Sequence, residues 1–166
     1  SRKEKNLPGI EEVDNKQIFH AKDFLTEVTK DMLNGTEYAN LKGKDVVIIG
    51  GGDTGVDCAA IALAQGANTV HQLERQECDA TANSVRDNLC NIVQGDFTIK
   101  YGTQMKRLIR DEEGKLKAVE TVQVEWRSER AGALPDAIRV LGSEKLLRAQ
   151  VLILALGLKG PEDESF

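Results

Sequence analysis

The amino-acid sequence predicts an α/β domain: a parallel sheet, helices on one face of that sheet, and a small antiparallel β-meander. A β-branched run, Val46–Ile49, is followed at once by glycines and then by a helical pattern. A second strand pattern at Thr69–Leu73 completes a strand–helix–strand unit, whose crossover is nearly always right-handed. Alternating segments from Gln104 onward are typical of antiparallel hairpins.

Composition narrows the possible functions. The 166 residues carry 22 basic and 27 acidic side chains, for a net charge of −5, and their number is typical of one domain. The acidic balance argues against binding nucleic acid or an anionic membrane by bulk charge, and every apolar run is too short to span a bilayer. The three cysteines, Cys58, Cys78 and Cys90, form no C-x-x-C pair, so the usual zinc and iron–sulfur signatures are absent from the sequence. With no secretory start, we expect a cytoplasmic protein with no nucleic-acid or membrane partner.

The amino-terminal elements follow from apolar spacing. Residues 1–17 are charged and contain a turn signal, which is typical of a connecting arm. The spacing over 18–34 predicts a helix ending at Gly35, where glycine tolerates the left-handed conformation. After the first strand, the pattern Thr54–Gln65 predicts a second helix, ended by Gly66.

The remaining elements are a helix, a strand and a meander. Apolar spacing predicts a helix over Asp79–Val93 and a third strand over Phe97–Tyr101. The segments Gln104–Arg110 and Lys117–Trp126 predict a hairpin around an acidic turn. Two further strands are predicted, at Ala137–Leu141 in the meander and at Val151–Ala155 in the buried sheet.

One motif carries chemistry. The segment Gly50-Gly51-Gly52-Asp53-Thr54-Gly55 contains G-x-G-x-x-G directly after a strand and at the start of a helix, which is the context of a dinucleotide fingerprint in a Rossmann-like sheet. Gly50 permits the tight turn, Gly52 lets a pyrophosphate approach the backbone, and Gly55 lets the helix pack close to the strand. Free N–H groups around Asp53 and Thr54 are predicted to point at the phosphates. A glycine turn in a nucleotide-free α/β domain is the alternative.

Two adjacent residues at the end of the second strand bear on cofactor choice. Glu74 follows Gly55 by the spacing expected of the acid that holds a ribose diol, which suits NADH because a 2′-phosphate there would bring like charges together. Arg75 could instead clamp that phosphate, with Arg86 in support, if Glu74 turns away. The residues leave NADH or NADPH open, with the balance toward NADH.

Other reactive residues lack a suitable constellation. Cys58 lies on the predicted fingerprint helix and is typical of a small core residue, while the sequence around His20 and His71 has no histidine, cysteine or carboxylate constellation typical of a metal site or a catalytic triad. No lysine of the phosphate-loop type follows the glycines. We therefore predict no catalytic residue and no metal ligand in this chain.

Several segments resemble one family. Gly51-Gly52-Asp53-Thr54-Gly55-Val56-Asp57-Cys58 resembles the small (β) subunit of glutamate synthase and related FAD-dependent NAD(P)H oxidoreductases. Four further segments match in order and extend the resemblance over nearly the whole chain: Ile18–Leu25, Gln72–Glu74, Val122–Trp126 and Leu154–Glu162. Within the last of these, Ala155-Leu156-Gly157 is similar to the closing motif that lies against the cofactor in that family.

The resemblance implies a role in electron transfer. In that family the pyridine-nucleotide module is inserted into an FAD-binding domain, to which NADH or NADPH passes hydride. Electrons then reach a large subunit through iron–sulfur clusters for glutamate synthesis from 2-oxoglutarate and glutamine. This implies a connecting arm at 1–17, an NAD(P)H-binding domain at 18–160, and at 161–166 the start of the return to a missing FAD domain.

The chain has one dinucleotide fingerprint and lacks the flavin fingerprint and cluster cysteines. The resemblance therefore implies that FAD and iron–sulfur clusters belong to other parts of a parent protein, and that the isolated domain is not active alone. Two alternatives stay open: the NAD(P)H module of another flavin and iron–sulfur oxidoreductase with a different electron acceptor, or a non-catalytic dinucleotide-binding domain.

Overall fold

A computed structural model of the chain describes residues 17–34, 41–50, 52–76, 91–94 and 96–156, with the backbone alone for 31–34 and 91–94. The helices are α1 (Ala21–Asn34) and α2 (Gly52–Ala64). The strands are β1 (Ile18–His20), β2 (Asp45–Ile49), β3 (Thr69–Glu74), β4 (Asn91–Gln94), β5 (Phe97–Tyr101), β6 (Thr103–Arg110), β7 (Leu116–Arg127), β8 (Asp136–Arg139), β9 (Lys145–Arg148) and β10 (Val151–Leu154).

The main sheet is built around β2. Among the described residues it has the strand order β1-β10-β2-β3-β5-β4, with parallel pairing throughout except at the antiparallel edge strand β4. All five residues of β2 are buried. Its alternate side chains serve two different cores, with Val46 and Ile48 on one face and Val47 and Ile49 on the other. This burial on both faces explains the unbroken β-branched run.

Both described helices cover the same face of this sheet. One core contains the strand side chains of that face together with residues of both helices: Phe24 and Val28 of α1, and Cys58, Ala59 and Ala62 of α2. The small residues of α2 let its axis approach the strands closely. The predicted fold class, a Rossmann-like parallel sheet with helices on one face and a meander, is confirmed.

The meander covers the opposite face. Strand β7 pairs with β6 along one edge, and β9 and β8 pair with its first and second halves. Met105, Leu116 and Val119 of the meander pack with Val47 and Leu152 of the main sheet. Strand β9 was not predicted, because Lys145-Leu146-Leu147-Arg148 has no alternation and acquires its conformation by pairing with β7.

Two predicted helices differ from the structure. The first was expected from residue 18, but Ile18–His20 form strand β1 alongside β10, so α1 begins at Ala21. The helix expected over Asp79–Val93 is wrong at its carboxyl end, where Asn91–Gln94 form β4 paired with β5. Strand pairing overrides the local apolar period in both places, with the distant strand β10 for β1 and with the next strand, β5, for β4. The rest of the second segment, residues 79–90, lies outside the described residues.

Gln17 joins the two sheets at the amino edge of the parallel strands. Its side-chain amide donates to the carbonyl oxygens of Gln150, at 2.9 Å, and Leu116, at 3.3 Å. Its own oxygen accepts the Leu116 N–H at 2.8 Å. These bonds tie the start of the described chain to both the main sheet and the meander.

Neither helix in the described part of the chain has the length and apolar character needed to cross a membrane.

Shortening the side chain of Leu152 tests whether the meander packs against the second face of the sheet. Leu152 is fully buried, so Leu152→Ala is expected to lower the free energy of unfolding by about 2–5 kcal/mol. Leu146→Ala, the same change at a side chain with 62% exposure, should cost about 0.5 kcal/mol or less. Urea unfolding measures both, and equal losses would contradict the packing described.

Candidate functional site

The candidate site lies where the strand order reverses. From β2 the chain continues to β3 on one side, and it returns through β10 on the other side. Ligands of open α/β sheets bind outside the carboxyl ends of the strands at such a switch point. Here Gly50 follows β2 and Ala155 follows β10, and both are tied to neighbouring strands. Gly50 donates its N–H to Leu73 O at 2.8 Å, and Ala155 donates to Ile49 O at 2.9 Å.

The glycine turn requires backbone conformations that other residues rarely adopt. Gly50 has a φ of 74° and Gly52 a φ of 46°, both in the left-handed region. A Cβ built on Gly52 would have no atom within 4 Å, so the space above this residue is open. Gly51, between them, lies outside the described residues.

Helix α2 begins in this turn and points its amino end at the switch point. Gly52, Asp53 and Thr54 are exposed, whereas Gly55 is buried. The first N–H groups of a helix have no partner within the helix and carry its positive dipole end. This combination of exposed donors and open space above Gly52 is suited to an anion.

Gly55 sets how closely α2 approaches the sheet. A Cβ at this position would lie 2.8 Å from Cδ of Gln72 and 2.8 Å from the carbonyl oxygen of Gly50. Such contacts are too short for any side chain. The close packing of helix on strand that the sequence predicted for the third glycine is therefore present.

Gln72 is a residue of the site that was not predicted from the sequence. It lies on β3 with 1% exposure, and its Nε2 donates to the carbonyl oxygens of Gly50, at 3.3 Å, and Gly52, at 3.2 Å. The available signal was a polar residue at a position where the strand pattern calls for an apolar one.

Glu74 and Arg75 are held in place at the end of β3. Because Leu73 pairs with Ile49, Glu74 lies beside Gly50 at the carboxyl edge of the sheet. Its half-buried carboxylate accepts the N–H of Gln76, with 3.3 Å between Oε1 and N. The Arg75 side chain stacks over a tryptophan of the meander.

That tryptophan, Trp126 of β7, contacts Arg75 in two ways. The Arg75 guanidinium carbon lies 5.0 Å from the centroid of the Trp126 ring, in cation–π geometry. The indole N–H also donates to the Arg75 carbonyl oxygen at 3.1 Å. Burial lowers the pKa of Arg75 from its ordinary value.

Ala155 and Leu156 follow β10 next to the glycine turn. Ala155 is buried in the core beneath the helices, and the half-buried Leu156 packs against the core beneath the meander. The structure thus brings Gly50, Gly52 and Ala155 to one switch point. Gly157 lies outside the described residues.

The other reactive side chains are built for packing. Burial, with a smaller contribution from the Asp57 charge, raises the pKa of the Cys58 thiol to about 12. The thiol therefore stays neutral near pH 7 and is a poor nucleophile. Burial and the nearby Lys100 charge lower the pKa of His71. Within the described ranges no three histidine, cysteine or acidic side chains are grouped to hold a metal ion.

Comparison with known families identifies the architecture. Residues 1–163 match the model of the pyridine nucleotide-disulphide oxidoreductases. The chain belongs to this family. The predicted kinship with FAD-dependent NAD(P)H oxidoreductases of the glutamate synthase small-subunit type is confirmed by this match and by the relatives that follow.

Curated relatives of this pyridine nucleotide-disulphide oxidoreductase domain include glutamate synthases. The chain is 34% identical to the glutamate synthase [NADPH] small chain of Bacillus subtilis, covering 92% of this chain and 35% of that protein. It is 33% identical to glutamate synthase [NADH] of Schizosaccharomyces pombe, covering 97% of this chain and 8% of that protein. The chain thus spans about a third or less of these relatives and corresponds to a domain of such oxidoreductases.

Solved structures share the fold of this oxidoreductase domain at low identity. FprA, an oxidoreductase of Mycobacterium tuberculosis, superposes with a TM-score of 0.66 at 17% identity, over 96% of this chain and 48% of that one. A thioredoxin reductase from Gloeobacter violaceus gives 0.54 at 16% identity, over 92% and 37%.

The contact between Gly55 and Gln72 predicts an unusual response to alanine. In a helix interior, Gly→Ala ordinarily stabilises by about 1 kcal/mol. Here the added methyl meets Gln72 and Gly50, so Gly55→Ala is expected to lower the free energy of unfolding by about 1–3 kcal/mol in urea denaturation. Ala60→Gly, at an exposed position of the same helix, calibrates ordinary propensity and should lose about 1 kcal/mol. A gain in stability for Gly55→Ala would refute the steric limit.

Proposed function

We propose that the chain is the NAD(P)H-binding module of a glutamate synthase small subunit, and that it presents the dinucleotide to FAD in another domain of the same parent protein. The observation that carries the proposal is the exposed amino end of α2, which opens from the left-handed Gly52 at the switch point of the sheet. Kinship with glutamate synthases over most of the chain supports the choice of parent.

The residues at the switch point have separable roles in this proposal. The pyrophosphate lies over Gly52, where no side chain intervenes, and accepts hydrogen bonds from the N–H groups of Asp53 and Thr54. Gly50 begins the turn beneath it, Gly51 is assigned to the dinucleotide by the sequence motif alone, and Gly55 lets the helix pack against the strand. The adenosine ribose lies at Glu74 and Arg75. Ala155 and Leu156, which follow β10, lie on the remaining side of the dinucleotide, and Gly157 is assigned to the same side by the sequence motif alone.

In this proposal the described side chains bind and orient the dinucleotide, and none of them transfers a proton. Bound in the neighbouring domain, FAD would supply the hydride acceptor, with iron–sulfur clusters carrying electrons onward to the large subunit that forms glutamate from 2-oxoglutarate and glutamine. The module by itself therefore has no turnover of NADH or NADPH.

The limits of the module and its location belong to the same proposal. Residues 1–17 serve as the connecting arm, 18–160 as the NAD(P)H-binding domain, and 161–166 as the start of the return to the FAD domain, all in the cytoplasm. A module that serves another electron acceptor would keep the same dinucleotide contacts, because the residues named here touch the dinucleotide and not the acceptor.

Valine at Gly52 tests the pyrophosphate position. Its side chain would occupy the open space above the turn, so Gly52→Val is expected to abolish measurable binding of NADH and NADPH in titration calorimetry. Gly114→Val is the matched control, because Gly114 also has a positive φ (83°), an added Cβ there also meets nothing within 4 Å, and it lies in the β6–β7 turn. Both variants place valine at a positive φ, and thermal unfolding establishes whether each is folded. Equal affinity of the two would refute the assignment.

Glu74 tests the choice between the two cofactors. Its carboxylate, oriented by the Gln76 N–H, would accept hydrogen bonds from both ribose hydroxyls of NADH and repel the 2′-phosphate of NADPH. We expect NADH to bind about tenfold or more tightly than NADPH, and we expect Glu74→Ala to narrow this gap in affinity. Glu112→Ala makes the same change of net charge in the β6–β7 turn and should leave the gap unchanged. Competition titrations measure the gap, and a clear preference of the unaltered chain for NADPH would overturn the expectation.

A further inference from the structure

A buried amide lies directly beneath the glycine turn. Gln72 pairs with Ile48 of β2 on one side and Ile99 of β5 on the other, and both neighbours belong to the core under the helices. Its exposure is 1%. Burying an amide among such residues costs free energy unless its hydrogen bonds are made, so this position calls for a specific reason.

The hydrogen bonds of Gln72 are directed at the turn. Its Nε2 reaches the carbonyl oxygens of Gly50, at 3.3 Å, and Gly52, at 3.2 Å, which gives the amide one acceptor for each of its two N–H donors. Its Oε1 is buried and has no hydrogen-bond partner among the described residues. The Gln72 amide therefore makes both of its donor hydrogen bonds, while its oxygen accepts none among the described residues. Gly55 provides the room, since a Cβ there would lie 2.8 Å from the Gln72 Cδ.

The orientation of one carbonyl fixes the orientation of the next N–H. No cis peptide bond occurs among the described residues, and in a planar trans peptide the C=O and N–H point in opposite directions. The carbonyl of Gly52 points inward to Gln72, so the N–H of Asp53 points away from the sheet, toward the exposed side of the turn. Glycines restrict this rotation less than any other residue, so the turn needs an external restraint.

We propose that Gln72 is a positioning residue for the dinucleotide phosphates, which it never touches. Its two donors hold the carbonyls of Gly50 and Gly52 inward, and this keeps the Asp53 N–H aimed at the pyrophosphate. The inference rests on the proposed function of the turn as a dinucleotide site, and it adds that the affinity of the site is set from inside the core by β3.

Methionine in place of Gln72 removes the donors at nearly constant shape. Gln72→Met is expected to weaken binding of NAD⁺ about tenfold or more, because two turn carbonyls lose their buried donor. Gln17→Met is the matched control, since it removes another bridging side-chain amide, at the opposite edge of the sheet, and should leave affinity unchanged. Titration calorimetry on the whole chain measures both.

Glutamate at the same position gives a pH-dependent readout, and thermal unfolding at each pH separates a change in affinity from the loss of stability that ionising a buried carboxyl also causes. An ionised carboxylate offers no donor to the turn carbonyls, whereas the neutral acid offers one O–H. Burial raises the pKa of such a carboxyl. The affinity of Gln72→Glu for NAD⁺ should therefore recover as the pH falls from about 8 to about 5.5, while that of the unaltered chain changes little. This pH profile also serves if Gln72→Met does not fold.

The outcomes separate this inference from the function on which it rests. Unaltered affinity in Gln72→Met, or a Gln72→Glu profile parallel to that of the unaltered chain, would overturn the positioning role and leave the proposed function standing. Absence of dinucleotide binding by the unaltered chain would instead overturn the proposed function. The ¹³C carbonyl signals of Gly50 and Gly52 in the free chain would then decide the hydrogen bonds of Gln72 alone. Signals unmoved by Gln72→Met would refute them.

Discussion

The close approach of helix α2 to strand β3 is the contact on which the candidate site depends. A residue without a side chain at Gly55 and small residues at Ala59 and Ala62 let the helix lie low on the sheet. The turn before the helix is then pinned to β3 twice, by the N–H of Gly50 on Leu73 and by the amide of Gln72. The amino end of α2 consequently faces the switch point. A side chain at position 55 would push the helix away from the sheet and displace that end.

The meander contributes to the site as well as to the core. By closing the second face of the sheet it brings Trp126 of β7 over Arg75, with the indole N–H on the backbone of that residue. A guanidinium stacked in this way keeps its charge and its edge-on N–H groups while losing freedom of movement. Under the proposed function, selection between the two pyridine nucleotides would depend in part on a strand outside the strand–helix–strand unit that carries the glycines.

Local signals explain what could be predicted from the sequence. The segment from β2 through α2 to β3 has a β-branched run, glycines and a helical period in immediate succession, and each predicts the next. Strands β1, β4 and β9 are three or four residues long and owe their conformation to pairing. The partners of β1 and β9 lie far away in the sequence, whereas β4 pairs with the next strand, β5. The contacts of Gln72 and Trp126 could not be predicted for a related reason, since each side chain hydrogen-bonds to a residue outside its own strand. Residue type alone indicated neither the turn carbonyls nor the Arg75 backbone as their partner.

The position of β10 has a consequence for how the crevice assembles. Its neighbour in the sheet is β2, and the backbone N–H of Asp45 reaches Gln150 across 105 positions of sequence. Closing so long a loop is entropically costly and slow compared with pairing β2 and β3. During folding, the glycine turn can therefore form while one wall of the crevice is still absent. Docking of β10 places Ala155 beside Gly50, so a ligand that contacts both residues would stabilise the sheet with β10 paired over a sheet in which β10 is undocked.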